Sequence, residues 1–115
     1  MFRFEKLEVW QKASEVTDRF YDLSDELELK KKYRWAEQLR SAAMSITNNI
    51  AEGSGSTSKH EFKQFLNYAH RSVSETANII FICHRRNYID VNLKIDYVNQ
   101  LEEISRRIMA FSKSL

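Results

Sequence analysis

Proline is missing from this 115-residue chain, and glycine occurs only twice, within Gly53-Ser54-Gly55. Sheets folded through many tight turns need glycine, asparagine and proline at those turns, so sandwich and barrel architectures are excluded. Collagen-like and proline-rich linker readings fall for the same reason. The single cysteine, Cys83, makes neither an internal disulfide framework nor a cysteine-based zinc cluster, and it fits a reducing compartment. No window reaches the ~18–20 apolar residues needed to span a bilayer. The charged start Met1-Phe2-Arg3-Phe4-Glu5-Lys6 lacks a signal-peptide core. The expectation is a cytoplasmic protein without membrane association. What is present is 43% hydrophobic residues. That suffices for one ordinary core, read as a single domain over residues 1–115, and is too much for intrinsic disorder.

Apolar spacing predicts four helices. The first has Leu7, Trp10, Ala13, Val16, Phe20, Leu23 and Leu27 at steps of three or four. A second runs from about Trp35 through Leu39, Ala42, Ala43, Ile46 and Ile50. It is expected to stop at Gly53, the residue best able to close a helix in the left-handed conformation, with Ser54 to Thr57 as loop. The third opens on Ser58-Lys59-His60-Glu61, a capping-box pattern, and continues through Phe62, Leu66, Ala69, Val73, Ala77 and Ile80. Asp90 or Asn92 caps the fourth, whose stripe is Val98, Leu101, Ile104, Ile108, Phe111 and Leu115. The fold expected is all-α, an antiparallel up-down-up-down four-helix bundle. Small residues at Ala42, Ala43, Ser45, Ala69 and Ser72 predict a close approach of helices two and three.

The run Ile79-Ile80-Phe81-Ile82-Cys83 covers more of a helix than one core stripe needs. A second row, Phe65, Tyr68, Ser72, Ile79 and Ile82, is therefore expected to pack against another subunit, the alternative being deeper burial within one chain. Polar residues near the core stripes, Arg40, Asn49, Glu52 and Glu75, call for partners if buried. An Arg40–Glu75 pair between helices two and three is expected, with Arg71 competing for Glu75.

No catalytic or metal-binding constellation is legible. Gly53 to Lys59 lacks the spacing of a phosphate loop, and His60-Glu61 is followed by Gln64 where a zinc motif needs histidine. His70 and His84 are too far apart on one helix to share a metal. Cys83 sits in an apolar run, where a buried inert thiol is expected. The chain reads as a non-enzyme with no cofactor and no metal.

Charge is polarised. Residues 1–29 hold four basic and eight acidic side chains, whereas residues 30–86 hold ten basic and four acidic. In an up-down-up-down bundle, Lys30, Lys31, Lys32 and Arg34 lie at the same end as Arg85 and Arg86, with Tyr33, Trp35 and Tyr88 among them. Such cations neutralise phosphates while aromatic faces stack on unpaired bases, so RNA or single-stranded nucleic acid is the expected ligand. The alternatives are a solvated face whose charge Asp25, Glu26, Glu28 and Asp90 offset, or a scaffold that recruits a protein partner.

Gln38-Leu39-Arg40-Ser41-Ala42-Ala43-Met44-Ser45-Ile46 and Asn49-Ile50-Ala51-Glu52-Gly53 have a further meaning. With Leu7-Glu8-Val9-Trp10 and Ala13 upstream and Phe62, Phe65, Leu66, Ala69, Ser72 and Glu75 downstream, the chain resembles the 23S rRNA intervening-sequence proteins. These are bacterial four-helix-bundle proteins, also labelled S23 ribosomal proteins. The resemblance runs from Phe4 to Leu115. It implies a bundle assembled into a ring, a homopentamer, encoded in many cases within inserts interrupting 23S rRNA genes. It also implies kinship with the accessory variability determinant of diversity-generating retroelements, a pentameric basic barrel that binds nucleic acid and a reverse transcriptase. Arg40, Asn49, Glu52, Ser72 and Glu75 match the family's polar positions and are read as structural or interface groups. Thr47 stands where many members have proline, Arg34 where glycine is frequent, and Ser56 where arginine is common.

Overall fold

The computed structural model describes residues 1–115. A 3-10 turn at Arg3–Lys6 precedes four helices: α1, Glu8–Leu29; α2, Tyr33–Ser54; α3, Lys59–Arg85; and α4, Val91–Ser114. There is no strand. Each helix packs against two others, α1 on α2, α2 on α3, α3 on α4 and α4 back on α1, giving a body of 43 × 22 × 19 Å.

The helices form where the apolar periodicity places them, because each buries one stripe in a shared core of 23 residues. Phe20, Leu27, Leu39, Ile46, Ile50, Phe62, Leu66, Ile80, Leu101 and Ile108 are its largest enclosed apolar side chains. Two fully buried hydroxyls are satisfied within their own helices. Ser24 Oγ donates to the Phe20 carbonyl at 2.8 Å and Thr76 Oγ1 to the Ser72 carbonyl at 2.8 Å, so neither leaves an unpaired group in the core. Two starts are fixed by side chains. Ser58 Oγ accepts the Glu61 N–H at 3.1 Å, and Asp90 Oδ1 accepts the Leu93 N–H at 2.8 Å.

Gly53 does something other than end α2. The helix runs through it to Ser54, and the capping Gly55 has an ordinary right-handed φ of −82°. A Cβ at Gly53 would lie 2.7 Å from Phe65 Cβ and 2.8 Å from Phe62 Cδ1, so its missing side chain is the space α3 occupies. The glycine is there for a close approach of backbones, with no left-handed turn required. Further along the same seam, the Ser45 and Ser72 hydroxyls meet at 2.8 Å, as small residues at these positions allow.

α4 also buries a slightly different row from the one expected. Tyr97 lies in the core and Val98 only partly so. The Tyr97 ring packs 5.2 Å from that of Phe20, and the Arg19 guanidinium lies 4.7 Å above it. Ile79 corrects the subunit-interface expectation: at 5% exposure it belongs to this chain's own core, and Ile82 is half-buried. α3 lies between α2 and α4, so it buries a wider arc than one stripe.

The two glycines should respond oppositely to alanine. Gly53→Ala is expected to destabilise the chain by about 1–3 kcal/mol through overpacking against Phe62 and Phe65. Gly55→Ala meets only the Glu52 carbonyl oxygen, at 3.4 Å, and should be neutral or stabilising by up to about 1 kcal/mol. Urea unfolding of the two variants checks the contrast.

Candidate functional site

Two helix ends carry the same closing geometry. At the end of α1 the Lys31 N–H donates to the Glu28 carbonyl at 2.9 Å and the Lys32 N–H to the Leu27 carbonyl at 2.8 Å. At the end of α3 the Asn87 N–H donates to the His84 carbonyl at 3.0 Å and the Tyr88 N–H to the Cys83 carbonyl at 2.8 Å. Both are Schellman turns, which satisfy orphan carbonyls by placing one residue in the left-handed region. Those residues are Lys31 and Asn87, each with φ 63°. The residue after each of them reaches across to the other turn: Lys32 Nζ lies 5.0 Å from the centroid of the Tyr88 ring. The two turns therefore meet at one end of the molecule.

This contact brings together the cations read from the sequence. Lys30, Lys31, Arg34, Arg85 and Arg86 are exposed, and Lys32 is half-buried beneath its contact with Tyr88. None of the six forms an ion pair. Two of the four neighbouring acids, Asp25 and Glu28, are held by Arg40, while Glu26 is exposed without an ion pair. Arg40 Nη2 holds Asp25 Oδ1 at 2.9 Å and Glu28 Oε2 at 3.0 Å, so these carboxylates are turned to Arg40. The hydrogen bond to Asp25, then that to Glu28, raises the already high pKa of Arg40. Asp90 is committed to its cap. This arrangement replaces the expected Arg40–Glu75 pair: Arg40 faces α1, and Glu75 is exposed near Arg71 on the other side of α2.

The aromatic residues of the patch differ in availability. Tyr33 is 59% exposed, whereas Trp35 packs against the core and Tyr88 is covered by Lys32. Tyr33 is thus the open aromatic face among the cations, available to stack on a planar group.

The other predicted residues fall elsewhere. Asn49, Ser72 and Glu75, with Ser45, Tyr68 and Arg71, line a groove of about 490 Å³ between α2 and α3. Asn49 Nδ2 donates there to the Ser45 carbonyl at 2.8 Å and to Ser45 Oγ at 3.0 Å. Phe65 and Tyr68 stand beside it with ring centroids 5.9 Å apart. Glu52 is exposed and enters neither set. No group of three or more His, Cys, Asp and Glu side chains gathers closely enough to hold a metal ion. No helix is long and apolar enough to cross a membrane. Cys83 is buried, and burial pushes its thiol up to about 11, far from the range of a thiolate nucleophile at neutral pH.

Sequence reasoning missed the Arg40 clamp and the left-handed turn residues. The α1 carboxylates at 25 and 28 share one face but do not by themselves decide between α1 and Glu75; asparagine at 87 is a familiar left-handed residue at a helix end, whereas lysine at 31 is unusual there.

A family model described as 23S rRNA-intervening sequence protein matches residues 5–110. Among solved structures, the chain is similar to that of a protein with unknown function from the S23 ribosomal protein family of Bacteroides thetaiotaomicron VPI-5482. The two superpose with a TM-score of 0.86 at 25% identity, covering 91% of this chain and 98% of that one. No curated protein matches the chain.

Two predictions follow from these geometries. Lys31→Gly is expected to raise stability by about 0.5–1 kcal/mol, because it removes the left-handed strain of a residue with a Cβ; thermal unfolding reads it as a higher melting temperature. The Cys83 thiol has a folded value above its unfolded one of about 8.5. Its contribution is therefore complete below that pH and is lost as pH rises toward 11. Urea unfolding across this window should show a decline that Cys83→Ala flattens, by an amount on the order of 2–3 kcal/mol.

Proposed function

Because the chain belongs to the 23S rRNA-intervening sequence protein family, we propose that it is a non-catalytic, oligomeric helical-bundle protein of the bacterial cytoplasm. It binds RNA or other single-stranded nucleic acid. The binding surface is the end where the α1–α2 and α3–α4 turns meet. Lys30, Lys31, Lys32, Arg34, Arg85 and Arg86 contact phosphate, and Tyr33 stacks on an unpaired base. The observation that carries this reading is the junction of two cationic turns through Lys32 and Tyr88, with Asp25 and Glu28 held away by Arg40. A backbone of evenly spaced phosphates suits such a cluster of unpaired cations.

The reading includes an antiparallel up-down-up-down arrangement. It is supported by Glu8 pairing with Arg107, Arg19 with Asp96, and Phe62 with Phe111. It also includes a ring, a homopentamer by family resemblance. The α2/α3 face supports self-assembly, because Phe65, Tyr68, Arg71 and Glu75 edge a polar groove whose Arg and Glu are unpaired within the chain. A closed ring repeats the basic end about its axis, and linked sites raise avidity without any new contact. The second reading is a protein-interaction scaffold without nucleic-acid binding, favoured by the exposed Leu29 and Val91 at this same end.

Fluorescence anisotropy with a labelled single-stranded RNA over a salt series separates the two. Binding is expected to weaken with salt, and each cation lost from Lys30, Lys31, Arg85 and Arg86 should lower the log–log slope by about 0.7. Tyr33→Ala should cost roughly 5- to 100-fold at constant slope. A folded, assembled chain that retains no RNA at low salt would leave the scaffold reading standing.

A further inference from the structure

The end where the two cationic turns meet also carries aliphatic side chains that phosphate and base contacts leave unused. Leu29, the last residue of α1, is 85% exposed, and Val91 and Leu93 in the first turn of α4 are 50% and 36% exposed. Leu29 directly precedes Lys30 to Lys32, and Val91 follows the 86–90 turn that Lys32 joins through Tyr88. Segments 29–34 and 85–94 together hold seven bases and one acid, Asp90. The acids of the adjoining turns reduce this charge without cancelling it, since residues 25–40 and 85–94 together hold eight bases and five acids. Exposed leucine and valine set among cations without ion pairs are therefore a property of this end.

Charge and shape together select the occupant. Aliphatic side chains neither neutralise phosphates nor stack on bases, so nucleic acid accounts for the cations alone. A second copy meeting this end through its own like end would set seven bases against seven, and like charges oppose that contact. The grooves of the molecule run along the seams between helices and are lined by residues other than Leu29, Val91 and Leu93. These side chains thus stand out from the surface. A protein partner anchors in pockets, whereas a fluid bilayer closes around whatever protrudes. A bilayer with anionic headgroups satisfies both parts of this end: its surface potential attracts lysine and arginine, and its acyl boundary receives aliphatic tips. We propose that this end adsorbs peripherally to anionic lipid membrane, with Leu29, Val91 and Leu93 entering the headgroup layer and the cations of the two turns on lipid phosphates. Adsorption of this kind needs no spanning helix, and no helix here is long and apolar enough to be one. The inference goes beyond the nucleic-acid reading but uses the same cations, so RNA and membrane exclude each other at this end.

Co-sedimentation with phosphatidylcholine vesicles containing about one-third phosphatidylserine tests the proposal against vesicles of phosphatidylcholine alone. Binding to the anionic vesicles is expected to be saturable, weakened by salt, and at least about tenfold tighter than to the neutral ones. Leu29→Ser combined with Val91→Ser should weaken it at least about tenfold while leaving the melting temperature and the affinity for single-stranded RNA unchanged; Leu29→Ser alone serves if the double variant fails to fold. Phe2→Ser, which removes an exposed apolar ring from the 3-10 turn before α1, is expected to change nothing. Equal binding to both vesicles, binding to neither, or no effect from the serine variants overturns the proposal. So does a loss of RNA affinity in those variants, since the aliphatic residues then belong to the nucleic-acid site. Light scattering in which the parent chain self-associates and the serine variants do not also overturns it, the occupant then being a second copy. RNA affinity is read on the same proteins, so vesicle binding without RNA binding, or the reverse, separates the failure of one claim from that of the other.

Discussion

The approach of α2 to α3 at Gly53 constrains everything built on the bundle. Interdigitated side chains already resist sliding, and a point where one helix lacks a Cβ fixes the register further, because no other residue admits the same close approach. Here one residue without a Cβ receives Phe62 and Phe65, and a hydroxyl pair at Ser45 and Ser72 repeats the close contact further along. These two fixings hold the register of the central pair. The heights of the remaining loops follow from it, including the meeting of the 30–32 and 86–90 turns at the far end.

That far end shows how local arrangement, more than net charge, determines electrostatics. The whole chain has a formal charge of +2. Coulomb interactions between exposed groups fade over about 10 Å at ordinary ionic strength, so what matters is which acids stand next to which bases. Arg40 answers that by gathering Asp25 and Glu28 along the α1–α2 seam. One buttressing arginine thus offsets part of the negative charge that α1 brings next to the cationic turn. The two carboxylates of this trio are largely exposed and the trio adds little to stability, so its effect is on surface potential.

The helices, their core stripes and the caps at Ser58 and Asp90 were legible because each rests on periodicity or on residues close in sequence. The cationic end was legible too, since connectivity alone brings those turns together. Three things were not. Glycine serves both left-handed turns and tight packing, and only the neighbouring Phe62 and Phe65 distinguish the uses at position 53. Ile79 lies at the border between a core row and a surface row, and a small rotation of α3 decides its side. Arg40 has carboxylates on two neighbouring helices within plausible reach, and its long side chain swings to either; the sequence does not encode which.

The seam between α1 and α4 is made differently from the other three. It joins the two ends of the chain, Glu8 to Arg107 across 99 residues of sequence, and it relies on the exposed pairs Glu8–Arg107 and Arg19–Asp96 beside Phe20 and Tyr97. The other seams join consecutive helices through short turns, so their loop-closure entropy is small. The α1–α4 contact therefore carries the largest loop-closure cost of the four. The pairs Glu8–Arg107 and Arg19–Asp96 thus tie the first helix to the last where no loop does so.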